Sequence, residues 1–223
     1  MNGRKKELLL YAVTDRSWLC GRSLYEQVEE ALQGGVTMVQ LREKKMSGQA
    51  FLSEAEQMKE LCAGYRTPLI INDEVEIARA VDADGVHVGQ KDTQVRIARA
   101  MLGPDKIIGA SARTVEQARI ACAQGADYLG VGAVFPTGTK QDAEVISYER
   151  LTEVCKAVSV PVVAIGGITK DNMDSLFGSG ISGIAVVSAI FAQPDIRGAA
   201  NLLKQKLLHM EQRKVMESYG KIL

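Results

Sequence analysis

The residues with the clearest chemical capacity follow short apolar runs at several places along the chain. Arg42 and Lys44 come after VTMVQL, Asp73 after PLIIN, Asp92 after DGVHVGQK, and Lys140 after FPTGT. Three cations meeting at one place would repel one another unless an anion lay between them. Two carboxylates beside such an anion indicate a divalent cation, and oxygen ligands suit Mg²⁺. The set therefore predicts a site for a Mg²⁺-bound diphosphate.

A second anion site is indicated in the later part of the chain, in the runs AIGGI (164–168) and VVSAI (186–190). Glycine allows a ligand to approach backbone N–H groups, and a short helix beginning within the second run would present further N–H groups. Two anion sites predict either two phosphorylated substrates or one long substrate.

Each of these residues also has a simpler interpretation. Arg42 and its charged neighbours could form a solvated salt-bridge face, and Asp73 and Asp92 could each be the N-cap of a following helix. His87 lies within an apolar run and is interpreted as a hydrogen-bonded core histidine. The coincidence of polar residues after so many apolar runs favours a common site over unrelated caps and ion pairs.

These residues can meet only if the apolar runs are neighbouring strands. Eight runs recur, with starts about 25 residues apart, and amphipathic segments of helical spacing lie between them. Such runs lack polar alternation, which is typical of a parallel sheet covered by helices. The pattern predicts a single (β/α)8 TIM barrel of the α/β class, with its chemistry at the C-terminal ends of the strands. A doubly wound open sheet is the alternative, because strand number alone does not prove closure. The predicted strands are 8–14, 36–42, 68–72, 84–89, 106–111, 127–135, 161–167 and 181–188.

No linker or charge block divides the chain, so residues 1–223 are predicted to form one barrel domain, with about 210–223 as a C-terminal extension. The final helix, starting near Ile196, would carry this extension. The extension is either a frayed tail or a contact with a partner subunit, and the sequence leaves a homo-oligomer open.

Composition argues against several classes of partner. Lys plus Arg equals Asp plus Glu at 27 each, so no overall field favours nucleic acid or an anionic membrane surface. No apolar run approaches the ~20 residues of a membrane helix, and no convincing signal peptide is present. The four cysteines have neither a C-x-x-C pair nor a typical zinc spacing, which predicts reduced thiols in a cytoplasmic protein.

Taken in order, the motifs resemble those of the thiamine-phosphate synthase (thiamine-phosphate pyrophosphorylase) family. The resemblance spans roughly residues 8–192, and its most specific parts are FPTGTK and QLREK in register with IND and HVGQKD. It implies a Mg²⁺-dependent transferase that joins 4-amino-5-hydroxymethyl-2-methylpyrimidine diphosphate to 4-methyl-5-(2-hydroxyethyl)thiazole phosphate. The products would be thiamine phosphate and pyrophosphate. We expect a dissociative substitution, because the aminopyrimidine can stabilise the cation left when pyrophosphate departs.

The resemblance also assigns residues to each ligand. The pyrimidine diphosphate would be held by Gln40, Leu41, Arg42, Glu43, Lys44, Asn72, Ser111 and Lys140. The thiazole phosphate would be held by Thr137, Gly138, Thr139, Gly167, Val187 and Ser188. Asp73 and Asp92 would hold Mg²⁺. The catalytic residues among these would be Arg42, Lys44, Ser111 and Lys140.

Two other functions are compatible with part of this pattern. The thiazole tautomerases resemble this fold and bind a similar thiazole phosphate, but they transfer protons and have no diphosphate to bind. A non-catalytic phosphate-binding regulator would have no evident need for paired metal carboxylates. The complete set of cations and carboxylates favours the synthase over both.

Overall fold

A computed structural model describes residues 2–44, 46, 48–138 and 144–220. Its eight parallel strands form a closed barrel in chain order, with β8 paired to β1. The strands are β1 Leu10–Val13, β2 Met38–Leu41, β3 Leu69–Asn72, β4 Gly85–Val88, β5 Ile107–Ala112, β6 Tyr128–Val131, β7 Val162–Ile165 and β8 Gly183–Val186. The predicted barrel is confirmed. Each strand lies within its predicted run, except that β5 ends one residue later.

Helices cover the outside of the barrel. Within the described residues they are α1 Asn2–Glu7, α2 Leu24–Gln33, α3 Gly48–Gly64, α4 Val75–Ala80, α5 Val95–Leu102, α6 Val115–Ala123, α7 Tyr148–Ala157, α8 Ser188–Phe191 and α9 Ile196–Gly220. The expectation of one α-helix per unit is wrong between β7 and β8, where the chain forms the short 3-10 helix Met173–Leu176. Phe177 is extended, with ψ of 135°, and ends that helix before a second turn can develop.

The last helix continues well beyond the barrel strands. Lys206 on α9 forms an ion pair of 2.8 Å with Asp174, and the guanidinium of Arg213 lies 4.4 Å from the centre of the Phe177 ring. These contacts hold α9 against the short 3-10 helix. Within the described residues, none of the helices combines the length and apolarity that crossing a membrane requires.

The apolar core has two layers. The larger layer lies between strands and helices, and the smaller one fills the barrel interior with residues such as Tyr11, Met38, Ile70, Ile107 and Tyr128. Successive side chains of a strand point to opposite faces. Residues an even number of positions beyond these interior residues therefore also point inward, nearer the C-terminal ends of the strands.

Two equivalent carboxylates brace the N-terminal end of the barrel, in the similar segments ADGVHVG and ADYLGVG. Asp84 Oδ2 accepts a hydrogen bond from the backbone N–H of Leu69 at 2.8 Å. Asp127 Oδ2 accepts one from the N–H of Ile108 at 2.8 Å and another from Arg99 Nη2 at 2.6 Å. Each carboxylate thus ties the start of its strand to the preceding strand, at the end of the barrel opposite the polar strand ends.

Candidate active site

Polar side chains line the C-terminal half of the barrel interior. Gln40 follows Met38 by two residues on β2, and Asn72 ends β3. His87 on β4 pairs in register with Asn72 and with Gly109, and Ser111 lies two residues further along β5. The alternation of side chains therefore brings the predicted residues Gln40, Asn72 and Ser111 into one interior layer with His87.

A continuous run of hydrogen bonds crosses this layer. Gln40 Nε2 donates to the Tyr11 hydroxyl at 2.7 Å, and the hydroxyls of Tyr11 and Tyr128 are 2.8 Å apart. The Tyr128 hydroxyl lies 3.0 Å from His87 Nδ1, and His87 Nε2 lies 3.0 Å from Ser111 Oγ. The interpretation of His87 as a hydrogen-bonded core histidine agrees with this arrangement. Tyr11 and Tyr128 were not predicted from the sequence. The alternation of side chains along their strands places both inside the barrel, and this could have identified them.

Arg42 is anchored to the loop that follows β1. Its backbone N–H donates to the hydroxyl of the fully buried Thr14 at 2.9 Å, and its Nη1 lies 3.6 Å from Asp15 Oδ2. The Arg42 side chain is 15% exposed, so the contact with Asp15 is only partly screened by water. Lys44, two residues further on, is exposed. The loops after β1 and β2 thus position one guanidinium at the mouth and leave a second cation in solvent.

Two predicted contact residues beside Arg42 direct their side chains elsewhere. Leu41 is fully buried in the layer between strands and helices. The Glu43 carboxylate accepts a hydrogen bond from Arg16 Nε at 2.7 Å, and Arg16 also pairs with Glu54. Burial raises the pKa of Glu43 even though the charge of Arg16 opposes this shift. The Leu41 side chain therefore packs in the core, and the Glu43 side chain connects its loop to Arg16 in the loop after β1.

Asp73 and Asp92 follow neighbouring strands and interact with each other. The backbone N–H of Asp73 donates to the His87 carbonyl at 2.8 Å, and Asn72 Nδ2 donates to Asp73 Oδ2 at 2.6 Å. Asp92 Oδ2 accepts a hydrogen bond from the N–H of Gly89 at 2.8 Å. Asp73 has a φ of 63°, a backbone conformation that Asp and Asn adopt more readily than most residues.

The interpretation of these carboxylates as helix N-caps is wrong. The cap position of α4 is Glu74 and that of α5 is Gln94, and neither side chain forms a capping hydrogen bond. Asp73 and Asp92 are therefore held by loop backbone and by Asn72, which leaves them oriented independently of the helices that follow.

The electrostatics of the pair suit a cation. Burial, followed by the negative charge of Asp92, raises the pKa of Asp73 to about 6, and Asn72 and Arg42 only partly offset this. A divalent ion between the carboxylates would relieve that repulsion. No group of three or more His, Cys, Asp or Glu ligands converges within the described ranges. The pair therefore fits Mg²⁺, which commonly takes one or two carboxylates and completes its shell with phosphate oxygens and water.

The second predicted anion site lies across the mouth, after β7. Gly167 has a φ of 65°, and its carbonyl accepts a hydrogen bond from Asn172 Nδ2 at 2.9 Å. An added Cβ at Gly167 would overlap the Pro136 carbonyl, so only glycine permits this approach of the two loops. Half-buried Thr137 and exposed Gly138 follow Pro136 directly. The structure thus brings Gly167 beside the segment that contains Thr137.

The remaining predicted residues of this site divide into two groups. Val187 packs against the interior layer of the core, and Ser188 begins the short helix α8 immediately after it. Thr139 of this site lies outside the described residues, as does Lys140, which is predicted to hold the pyrimidine diphosphate. The opening of the barrel therefore carries a cation and two carboxylates on one side and a glycine loop on the other.

Comparison with known proteins gives concordant results. The profile of the family described as thiamine monophosphate synthase matches residues 10–190. The thiamine-phosphate synthase of Clostridium tetani is 49% identical over 203 residues, which cover 91% of this chain and 97% of that protein. The enzyme of the same name from Clostridium botulinum strain 657 is 50% identical over 195 residues, 87% of this chain and 95% of that protein. The solved structure of a thiamine phosphate pyrophosphorylase from Pyrococcus furiosus has a TM-score of 0.86 and 39% identity, covering 93% of this chain and 99% of that one.

Proposed function

This chain belongs to the thiamine monophosphate synthase family, and from that membership we propose that its barrel mouth joins a pyrimidine diphosphate to a thiazole phosphate with Mg²⁺ present. Its activity is that of a thiamine-phosphate synthase, which makes it a transferase. The observation that carries the proposal is the convergence of Arg42, Asn72, Asp73, Asp92 and Ser111 at one end of the barrel.

The pyrimidine diphosphate would lie on the side of the mouth formed by β2 to β5. Gln40 and Asn72 offer amide groups to the pyrimidine, and Ser111 offers a hydroxyl to the diphosphate. Arg42 and Lys44 offer positive charge to the diphosphate, and the sequence places Lys140 with them. This division matches each part of the substrate with groups of complementary chemistry.

Asp73 and Asp92 would hold Mg²⁺. When bound, Mg²⁺ would neutralise charge on the diphosphate and so make pyrophosphate a better leaving group. Asn72 supports this site by donating to Asp73 Oδ2, which holds the carboxylate in one orientation.

The thiazole phosphate would lie against the opposite loops. Its phosphate would accept hydrogen bonds from the backbone at Gly167 and Ser188 and from the hydroxyl of Thr137, with Thr139 and Gly138 adjacent. Val187 would provide an apolar wall. The positive φ of Gly167 supports this role. Successive residues in turn conformations of this kind direct their backbone N–H groups toward an anion.

The reaction needs no protein nucleophile. The bond between the pyrimidine methylene carbon and the diphosphate oxygen breaks, the electron pair leaves with pyrophosphate, and the thiazole nitrogen then bonds to the carbon. Arg42, Lys44 and Lys140 would stabilise the charge that develops on the leaving group. Preorganised charges of this kind are usually the largest contribution to catalysis, and losing one costs on the order of 10²–10³ in rate.

The proposal is tested by following pyrophosphate release from the purified protein. We expect release only when both substrates and Mg²⁺ are present, with thiamine phosphate formed in equal amount. Parallel reactions that omit one substrate, or that replace Mg²⁺ with a chelator, are the controls. Pyrophosphate release without the thiazole phosphate, or no release with all components, would contradict the proposal.

A further inference from the structure

Three buried residues connect the two ends of the pyrimidine side of the mouth. Tyr11, Tyr128 and His87 link Gln40 to Ser111 through four consecutive hydrogen bonds of 2.7 to 3.0 Å. The two tyrosines are fully enclosed and His87 is 9% exposed. Because water does not compete at such positions, each of these bonds has a strong influence on its neighbours.

The bond from Gln40 sets the direction of all the others. The amide of Gln40 donates to the Tyr11 oxygen, so the single proton of Tyr11 must find another acceptor, and the Tyr128 oxygen lies 2.8 Å away. Leaving a buried hydroxyl proton without an acceptor is costly. With Tyr128 donating to His87 Nδ1, the singly protonated form of His87 carries its proton on Nε2. Nε2 donates to Ser111 Oγ, and the Ser111 hydroxyl proton is left to point into the mouth.

The packing keeps this arrangement in place. The rings of Tyr11 and Tyr128 meet edge to face, with centres 5.9 Å apart and planes at 73°. An added Cβ at Gly109 would overlap the Tyr128 ring, so this glycine makes the space that the ring occupies. Burial raises the pKa of both tyrosine hydroxyls well above the ordinary value, so each keeps its single proton.

The Gln40 end of the run presents a hydrogen-bond acceptor to the mouth, in contrast to the donor at Ser111. The hydrogen bond to Tyr11 uses Nε2 of Gln40, and the other amide atom, Oε1, is a hydrogen-bond acceptor. The mouth is thus offered a hydrogen-bond acceptor at Gln40 and a donor at Ser111. This pairing matches a ligand that has an amino group at one edge and an anionic oxygen at the other.

We infer that Tyr11, Tyr128 and His87 are positioning residues that fix the hydrogen-bond polarity of the site, holding Gln40 as an acceptor for the pyrimidine amino group and Ser111 as a donor to the diphosphate. The inference rests on the proposed function for the identity of these substrate groups. The order of the protons within the protein does not depend on it.

The proton order is tested first on the ligand-free, full-length protein. With only two histidines in the chain, ¹⁵N labelling of the imidazoles gives a spectrum in which His209→Asn assigns each signal. At about pH 8, above the ordinary histidine range, we expect His87 to carry its proton on Nε2 and an unprotonated Nδ1. Tyr128→Phe removes the donor to Nδ1 and should lower the fraction of that tautomer. A proton on Nδ1 of wild-type His87, or an unchanged tautomer in Tyr128→Phe, would overturn the inference.

Kinetics test the consequence for the substrate. Tyr128→Phe should lower kcat about tenfold, the value of one buried hydrogen bond, without changing the KM for the thiazole phosphate. Tyr25→Phe, at an exposed position on α2, is the matched control and should have no effect. Tyr11→Phe frees the Gln40 amide to turn, so the preference for the 4-amino substrate over a 4-oxo analogue should also fall about tenfold.

If Tyr11→Phe keeps the preference for the 4-amino substrate over the 4-oxo analogue, losing activity equally with both, then these residues only support the fold. Absence of pyrophosphate release by the wild type would instead contradict the proposed function, and the tautomer measurement would still decide the proton order.

Discussion

The carboxylates of Asp73 and Asp92 interact at the ends of β3 and β4, and the charge of Asp92 helps burial to raise the pKa of Asp73 to about 6. Like charges held this close are unfavourable in the protein alone. A cation held between the two carboxylates, as proposed above, would relieve this repulsion.

The pH dependence of the free energy of unfolding, measured on the metal-free protein, should report the raised pKa of Asp73. Between the ordinary Asp pKa of about 3.9 and the folded value of about 6, the folded state binds more protons than the unfolded state. The free energy of unfolding should therefore fall as pH rises through this window. The test is urea denaturation with a chelator present. The free energy of unfolding of Asp73→Asn, minus that of the wild type, should be larger at pH 7 than at pH 4.5. The same difference at both pH values would contradict the raised pKa.

Removing the charge of Asp92 should weaken the use of Mg²⁺. We expect Asp92→Asn to lower kcat about 10²-fold and to raise the Mg²⁺ concentration needed for half-maximal rate, while the circular dichroism spectrum stays unchanged. The amide oxygen of Asn can still accept the hydrogen bond from Gly89, so the loop should persist. Asp105→Asn, at an exposed position, is the control. An unaltered Mg²⁺ dependence would show that Asp92 does not hold the metal.

Lys140 follows residues 137–139 in the sequence and should act on the leaving group more than on the thiazole. We expect Lys140→Ala to slow single-turnover pyrophosphate release while the KM for the thiazole phosphate changes little. Lys91→Ala, at an exposed lysine after β4, is a suitable comparison. An increase in the thiazole KM with an unchanged release rate would place Lys140 on the other substrate.

The N-terminal end of the barrel should affect stability without affecting the chemistry. Asp127→Asn replaces the carboxylate that accepts from Arg99 with a neutral amide, so the ion pair is lost. We expect the free energy of unfolding to fall by about 1–3 kcal/mol, with kcat unchanged at a temperature where the variant is folded. Asp174→Asn, which removes a more exposed ion pair, should cost less. A tenfold loss of kcat in folded Asp127→Asn would contradict the separation of the two ends.

Much of the mouth could be predicted because parallel strands deliver their last residues to one edge. The convergence of Gln40, Asn72 and Ser111, which lie at or near the ends of their strands, follows from the alternation of side chains and the closure of the sheet. The orientation of Glu43 could not be predicted in the same way. Its partner Arg16 lies 27 positions away in sequence, on a different loop. Local patterns contain no information about such a pairing.

The polar interior was harder still to foresee. Tyr11 and Tyr128 occur in strands that read as continuous apolar runs, and both residue types are common in strands for packing reasons alone. Only the closed barrel brings β1 and β6 to opposite walls of one narrow space, where two hydroxyls can meet. The short 3-10 helix between β7 and β8, in place of an α-helix, is a further feature that the repeating pattern did not predict.

The five residues of the interior hydrogen-bond run come from two separate parts of the sequence, which has a consequence for the assembly of the barrel. Tyr11, Gln40, His87 and Ser111 all precede residue 112, whereas Tyr128 is contributed by β6. A fragment ending after β5 would carry four of the five residues and have no acceptor for the Tyr11 proton at the position of Tyr128. Joining the two fragments would complete the run, so the near-ultraviolet signal of this tyrosine pair offers an internal sensor of complementation between halves of a split barrel.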